Sequence, residues 1–173
     1  MSNQKEKHYT PPTNALDWAG VAVATAGGAG FFPVAPGTAG TAVAVPLYWL
    51  LAGVLHWPAW ALVAFWAGLT AVGVVASERV GKPVFHASDA GQIVIDEVVG
   101  YLLTVMLIPF SWKVAIVGFF LFRVLDIVKP WPASYFDKKV HNGFGVTMDD
   151  LCAAAWGRAA LAVVIHFWPT LLA

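Results

Sequence analysis

Two adjacent carboxylates, Asp96 and Glu97, open the apolar run GQIVIDEVVGYLLTVMLIP, and a second pair, Asp149 and Asp150, closes GVTMDD just before another apolar run. Between them, FRVLDIVKPWP spaces Arg123, Asp126 and Lys129 three residues apart, which on a helix sets all three along one side. An ionised carboxylate within a membrane span costs about 2.5–3.5 kcal/mol, and neighbouring carboxylates repel unless a cation neutralises them. These five acids therefore need compensation. Arg123 and Lys129 supply part of it. A hard divalent cation supplies the rest naturally, because magnesium takes oxygen ligands and keeps waters that can become nucleophiles. The bland alternative is that acids simply favour helix N-termini. That account fits any single acid better than it fits two pairs combined with an Arg–Asp–Lys series.

A second stretch, FFPVAPGTAGTAVAVP, has a different character. Its Pro-Gly-Thr turn leads into a helix, so the Gly37 backbone, the Thr38 hydroxyl and the positive dipole end together suit a phosphate. The same residues also serve as plain helix caps, and the pattern gains force only by sharing a membrane face with the acids. Other signals carry less. Cys152 and Arg158 have the C-x5-R spacing of cysteine phosphatases, but the residues between them read as continuous apolar helix rather than a loop of amides. His56 and His166 fall at the outer ends of spans, and His86 lies in an inner loop. Glu78 and Lys82 are spaced for a helical ion pair. With one cysteine, the chain has no internal disulfide and no thiolate metal cluster.

The elements that position these groups are membrane helices. The 173 residues are 59% hydrophobic and only 12% charged, with a mean hydropathy of +0.70, whereas soluble domains carry about 25% charge. No Asp, Glu, Lys or Arg occurs from Trp18 to Ser77, and eight of the ten acids fall between Glu78 and Asp150. Zero net charge gives no field to attract nucleic acid. Spans need about 20 apolar residues, and five segments qualify or nearly do: Thr41 to Trp57, Ala59 to Ala76, Ile93 to Ile108, Trp112 to Val128 and Leu151 to Trp168. The Gly-rich region from Ala15 to Phe32 reads as a broken or re-entrant segment. The fold expected is all-α, a polytopic membrane bundle forming a single domain over 15–173 behind a polar cytoplasmic tail over 1–14. Placing that tail inside puts Lys5, Lys7, Arg79, Lys82, Lys129, Lys138 and Lys139 inside as well, which satisfies the positive-inside rule. Asp96–Glu97, Arg123–Asp126–Lys129, Asp149–Asp150 and Gly37–Thr38 then all reach the cytoplasmic face.

At these residues the chain resembles the phosphatidylglycerophosphatase A family of bacterial lipid phosphatases. PVAPGTAGT, DAGQIVIDEVVG, FRVLDIVKPWPASYFD and HNGFGVTMDD appear in family order and, with the spans between, cover roughly residues 15 to 168. Asn142 and Ala154 stand where the family pattern has Gly, and Thr147 where it has an apolar residue. The resemblance implies a magnesium-dependent hydrolase of the inner membrane. Its substrate would be phosphatidylglycerophosphate in the inner leaflet, converted to phosphatidylglycerol and phosphate. It further implies that Asp96, Glu97, Asp126, Asp149 and Asp150 hold one or two Mg2+ ions, while Arg123, Lys129, Gly37 and Thr38 bind phosphate. Asp89, Asp137 and His141 match family positions and are expected around the site in support. Water activated at the metal is the expected nucleophile, with an aspartate attacking through a phosphoenzyme as the alternative. Two other readings compete: a phosphatase for a different lipid phosphate, and a transporter or ion pathway lined by the acids. Oligomeric state is not encoded in any of these features.

Overall fold

The computed structural model describes residues 9–140 and 142–172, and among these the chain is helical with no strand. Seven α-helices follow in order: α1 Ala15–Ala24, α2 Pro36–Tyr48, α3 Ala59–Phe85, α4 Ile95–Val105, α5 Trp112–Val128, α6 Ala133–Lys139 and α7 Gly143–Phe167. Ser111 caps α5, its Oγ accepting from the Val114 N–H at 3.1 Å. Asn142, one of the departures from the family pattern, does the same for α7 by accepting from Gly145 N–H at 2.9 Å. A side-chain acceptor at this position satisfies a helix N–H that would otherwise lack a partner.

The helix α4 is the hub, packing against α2, α3, α5 and α7. Nine of its eleven residues are buried. Close approach is possible because two helix positions lack side chains: a Cβ at Gly100 would lie 2.6 Å from Phe122, and one at Gly118 would lie 2.7 Å from Val105. Several polar side chains around α4 bond backbone carbonyls, which stand in for absent water. Tyr101 OH donates to Ala115 O at 3.1 Å, Trp66 Nε1 donates to Val99 O at 2.9 Å, and Thr104 Oγ1 donates to Gly100 O at 3.1 Å.

Three helices are long and apolar enough to cross a membrane: α2 with its π-helical extension, Pro36–Val54; α3; and α7. Their outer surfaces carry large exposed apolar side chains such as Trp60, Val75 and Phe167. A covering of this kind marks contact with lipid or protein. The boundaries of α5 coincide with the expected fourth span. The expected third span differs. At eleven residues, α4 rises only about 16 Å, short of a bilayer's hydrocarbon core of about 30 Å, and its apolar residues face protein. Beyond the expected second span, α3 continues to Phe85, and α7 begins eight residues ahead of the expected fifth. The short α6 occupies what the sequence reading leaves as loop. The Gly-rich N-terminal segment is broken as expected: α1 stops at Ala24, and Ala26, Gly27 and Gly28 take positive φ before a 3-10 turn over Ala29–Phe31.

Candidate functional site

The polar residues of four helices meet in one cavity of about 270 Å³, lined by Gly37, Asp89, Asp96, Glu97, Arg123, Asp126, Lys129, Asp149 and Asp150 among others. The fold explains the meeting. Asp96 and Glu97 stand in the first turn of α4, Asp126 and Lys129 at the end of α5, Asp149 and Asp150 two turns into α7, and Gly37 in the first turn of α2. Because α4 and α5 are joined by a short corner at their far ends, the start of one lies beside the end of the other.

Within the cavity the five acids divide into two sets. Asp96, Glu97 and Asp150 converge, with carboxylate oxygens within 4.8 Å of one another, a spacing suited to one metal ion. Glu97 Oε2 and Asp150 Oδ2 are buried and accept no hydrogen bond, so each retains a lone pair that burial makes costly to leave unused. That is the donor set a hard cation prefers. Asp126 and Asp149 are instead engaged by cations. Arg123 Nη1 lies 2.7 Å from Asp126 Oδ2 and 3.7 Å from Glu97 Oε1. Lys129 Nζ bonds Asp137 Oδ1 at 2.8 Å and also bonds Asp149. Burial by itself would lower the Lys129 pKa, but the hydrogen bonds to Asp137 and Asp149 outweigh it and hold the ammonium above the ordinary lysine range. Lys129 therefore stays charged.

The remaining expected site residues fall as follows. Gly37 lines the cavity, and any side chain there would collide with Glu97. Thr38 does not line it; its N–H is spent on Ala35 O at 2.9 Å. Asp89 and Asp149 also border a neighbouring cavity of about 210 Å³ that includes Asp137. His141, with Lys5 and Lys7 of the tail, lies outside the described residues.

One residue escaped the sequence reading. Glu78 is not paired with Lys82; its Oε2 accepts from the Gly143 N–H at 2.6 Å, which ties α3 to the start of α7. The partner is 65 residues away, and no local spacing announces it.

The family model described as phosphatidylglycerophosphatase A matches residues 22–165. A relative of that name from Escherichia coli K12 is 37% identical over 143 residues, covering 82% of this chain and 81% of the relative. Another of that name from Haemophilus influenzae is 43% identical over 81 residues, covering 46% and 49%. A Bacteroides thetaiotaomicron protein, provisionally described as a phosphatidylinositol-3-phosphatase, is 36% identical over 155 residues, covering 83% and 91%. No solved structure matches the chain significantly.

Proposed function

The chain belongs to the phosphatidylglycerophosphatase A family, and from that premise we propose that it removes the terminal phosphate of phosphatidylglycerophosphate with Mg2+ at the carboxylate cavity. The observation that carries the reading is a charge imbalance: six carboxylates line this cavity against two cations, Arg123 and Lys129. A phosphate monoester cannot approach such a surface without divalent charge between them. Asp96, Glu97 and Asp150 fit that role as ligands, with Asp126 and Asp149 bordering the same space. When bound, magnesium supplies Lewis acidity to the phosphoryl group and lowers the cost of generating hydroxide from water.

The protein's own groups do the rest. Arg123 is held by Asp126 at the end of α5, pre-aimed at charge that develops on the phosphoryl oxygens. Lys129, fixed between Asp137 and Asp149, presents a second permanent cation. The Gly37 N–H in the first turn of α2 offers a donor at a positive dipole end, and the missing side chain leaves room for the Glu97 carboxylate beside Arg123. A carboxylate of the cavity takes the proton from the attacking water and returns it to the glycerol oxygen as the phosphorus–oxygen ester bond breaks, giving phosphatidylglycerol and inorganic phosphate.

We place residues 15–173 in the bacterial inner membrane as one phosphatase domain, with the cavity on the cytoplasmic side where its lipid substrate lies. Five traverses are retained, α4 among them. An eleven-residue traverse is tolerated because it is enclosed by other helices and need not match the lipid thickness. The test is phosphate release from phosphatidylglycerophosphate in mixed micelles, with and without chelator. Turnover that persists in thorough chelator would overturn the metal reading. The Bacteroides relative favours a second reading, a different phosphorylated head group. Parallel assays on phosphatidylinositol 3-phosphate and phosphatidic acid decide between them by relative kcat/KM.

A further inference from the structure

Arg158 plays no part in the cavity just described. It sits on α7 nine residues beyond Asp149, about 13 Å further along the axis, in a second half of the helix that is apolar apart from His166 in the last turn. There it borders a separate chamber of about 250 Å³, walled by Ala162 and Ile165 on its own helix face, by Leu107, Ile108 and Pro109 of the corner between α4 and α5, and by Leu172. That corner joins the ends of α4 and α5 remote from the carboxylates. Arg158 Nη1 is buried without a hydrogen-bond partner, and no described acid pairs with the residue. Tyr48 OH shares its one proton between Ile108 O at 3.0 Å and Pro109 O at 3.1 Å, and a neutral hydroxyl supplies no counter-charge.

A cation in an apolar helix persists where an anion compensates it. Among the described residues no acid provides it, and an anion from outside the chain would. The surroundings of the chamber specify its form. Leu107 and Leu172 of its lining are exposed, an apolar edge that acyl chains cover, and Trp168 is exposed at the same end of α7. Aromatic side chains of this kind settle at the level of lipid head groups. We propose that this chamber seats the phosphate of an anionic phospholipid against Arg158, at the end of the bundle opposite the carboxylate cavity. Guanidinium groups bind phosphate oxygens in a bidentate fork, and the apolar walls take the adjoining glyceryl and upper acyl carbons. The site is non-catalytic and stands independently of the proposed reaction.

The experiment uses the full chain purified in neutral detergent. Native mass spectrometry and thermal unfolding are measured with phosphatidylglycerol, with phosphatidylcholine of the same acyl chains, and with inorganic phosphate. Wild type is expected to retain one phosphatidylglycerol more than Arg158→Gln, and to gain about 5 °C in apparent Tm from that lipid alone. Arg158→Gln and the cavity-filling Ala162→Phe should both lose that gain, while Asp150→Asn in the other cavity keeps it. The last arm separates this lipid from product bound at the carboxylates. Should Arg158→Gln fail to fold, Ala162→Phe carries the comparison. Equal retention by both chamber variants, an equal gain from phosphatidylcholine, or reproduction of the gain by inorganic phosphate would each overturn the assignment.

Discussion

Replacing Asp150 with asparagine should make the metal-free protein more stable and the enzyme almost inactive. The two effects have one origin. Carboxylate oxygens of Asp96, Glu97 and Asp150 lie within 4.8 Å of one another, and at an effective dielectric of about 20 each like-charged pair at that distance repels by about 3.5 kcal/mol. Asp150→Asn keeps the shape and removes two of the three pairs, an upper bound of about 7 kcal/mol that holds only for three ionised groups; acids crowded in this way relieve part of the repulsion by taking up protons. Arg123, 3.7 Å from Glu97, already offsets some of this, and the cavity is open to solvent. The net gain expected is about 1–3 kcal/mol, which for a chain of this size raises Tm by about 2–12 °C in chelator.

In magnesium the sign reverses. The variant offers a neutral oxygen where a charged one stood, so the stabilisation that magnesium confers on wild type should shrink. Losing several kcal/mol of charge stabilisation lowers kcat/KM by about 10³-fold. The assay pairs thermal unfolding in chelator and in magnesium with phosphate release across a magnesium titration. Activity within a few-fold of wild type, with an unchanged magnesium-dependent rise in Tm, would refute the ligand assignment. A drop in Tm in chelator would refute the electrostatic reasoning behind it.

Three further outcomes follow from the same geometry. Asp126→Asn leaves Arg123 without its 2.7 Å partner, so phosphatase activity should fall at least about 10²-fold with normal membrane insertion; activity near wild type removes Asp126 from the site. Glu78→Ala uncaps the Gly143 N–H and should cost about 0.5–2 kcal/mol, a Tm loss of about 1–8 °C, with Glu78→Gln closer to wild type because it keeps an acceptor; thermal unfolding of the three proteins checks this. Gly100→Ala brings a methyl to 2.6 Å from the Phe122 ring, an overpacking worth about 1–3 kcal/mol, visible as reduced Tm even in saturating magnesium.

How far the sequence reveals these features depends on how each is encoded. Charges in apolar sequence are rare and expensive, so Asp96, Glu97, Asp126, Asp149 and Asp150 stand out, and the i,i+3 spacing of Arg123 and Asp126 anticipates their ion pair. The division of the five acids is invisible in one dimension. Which oxygens converge depends on the angle at which α7 crosses α4 and α5, and no local pattern records that. The length of α4 is hidden for another reason. Hydropathy measures transfer out of water, and it scores a helix packed in protein the same as one facing lipid. IVIDEVVGYLLTVMLI looks like a span because its residues are apolar, whereas in the folded chain nine of eleven helical residues touch protein. Glu78 has a plausible local partner in Lys82, and the partner it takes lies on another helix.

The short α4 also bears on how the site is built. A helix that matched the bilayer would carry its first turn to the membrane surface, where water would hydrate Asp96 and Glu97. In an enclosed helix of eleven residues those two acids begin inside the protein, with Asp96 only 6% exposed. Desolvation strengthens every charge interaction in the cavity, both the repulsion that makes it costly empty and the attraction that would hold a divalent ion. The corner at Leu107–Pro109 that follows α4 walls the chamber beside Arg158. One short helix thus carries the carboxylates in its first turn and leads into the distal chamber at its other end. Lengthening α4 by a full turn at its C-terminal end should therefore close the distal chamber and abolish lipid retention there, while leaving the first-turn carboxylates and magnesium-dependent stabilisation in place. Loss of the magnesium response along with the lipid would show that the two ends are not independently positioned by α4.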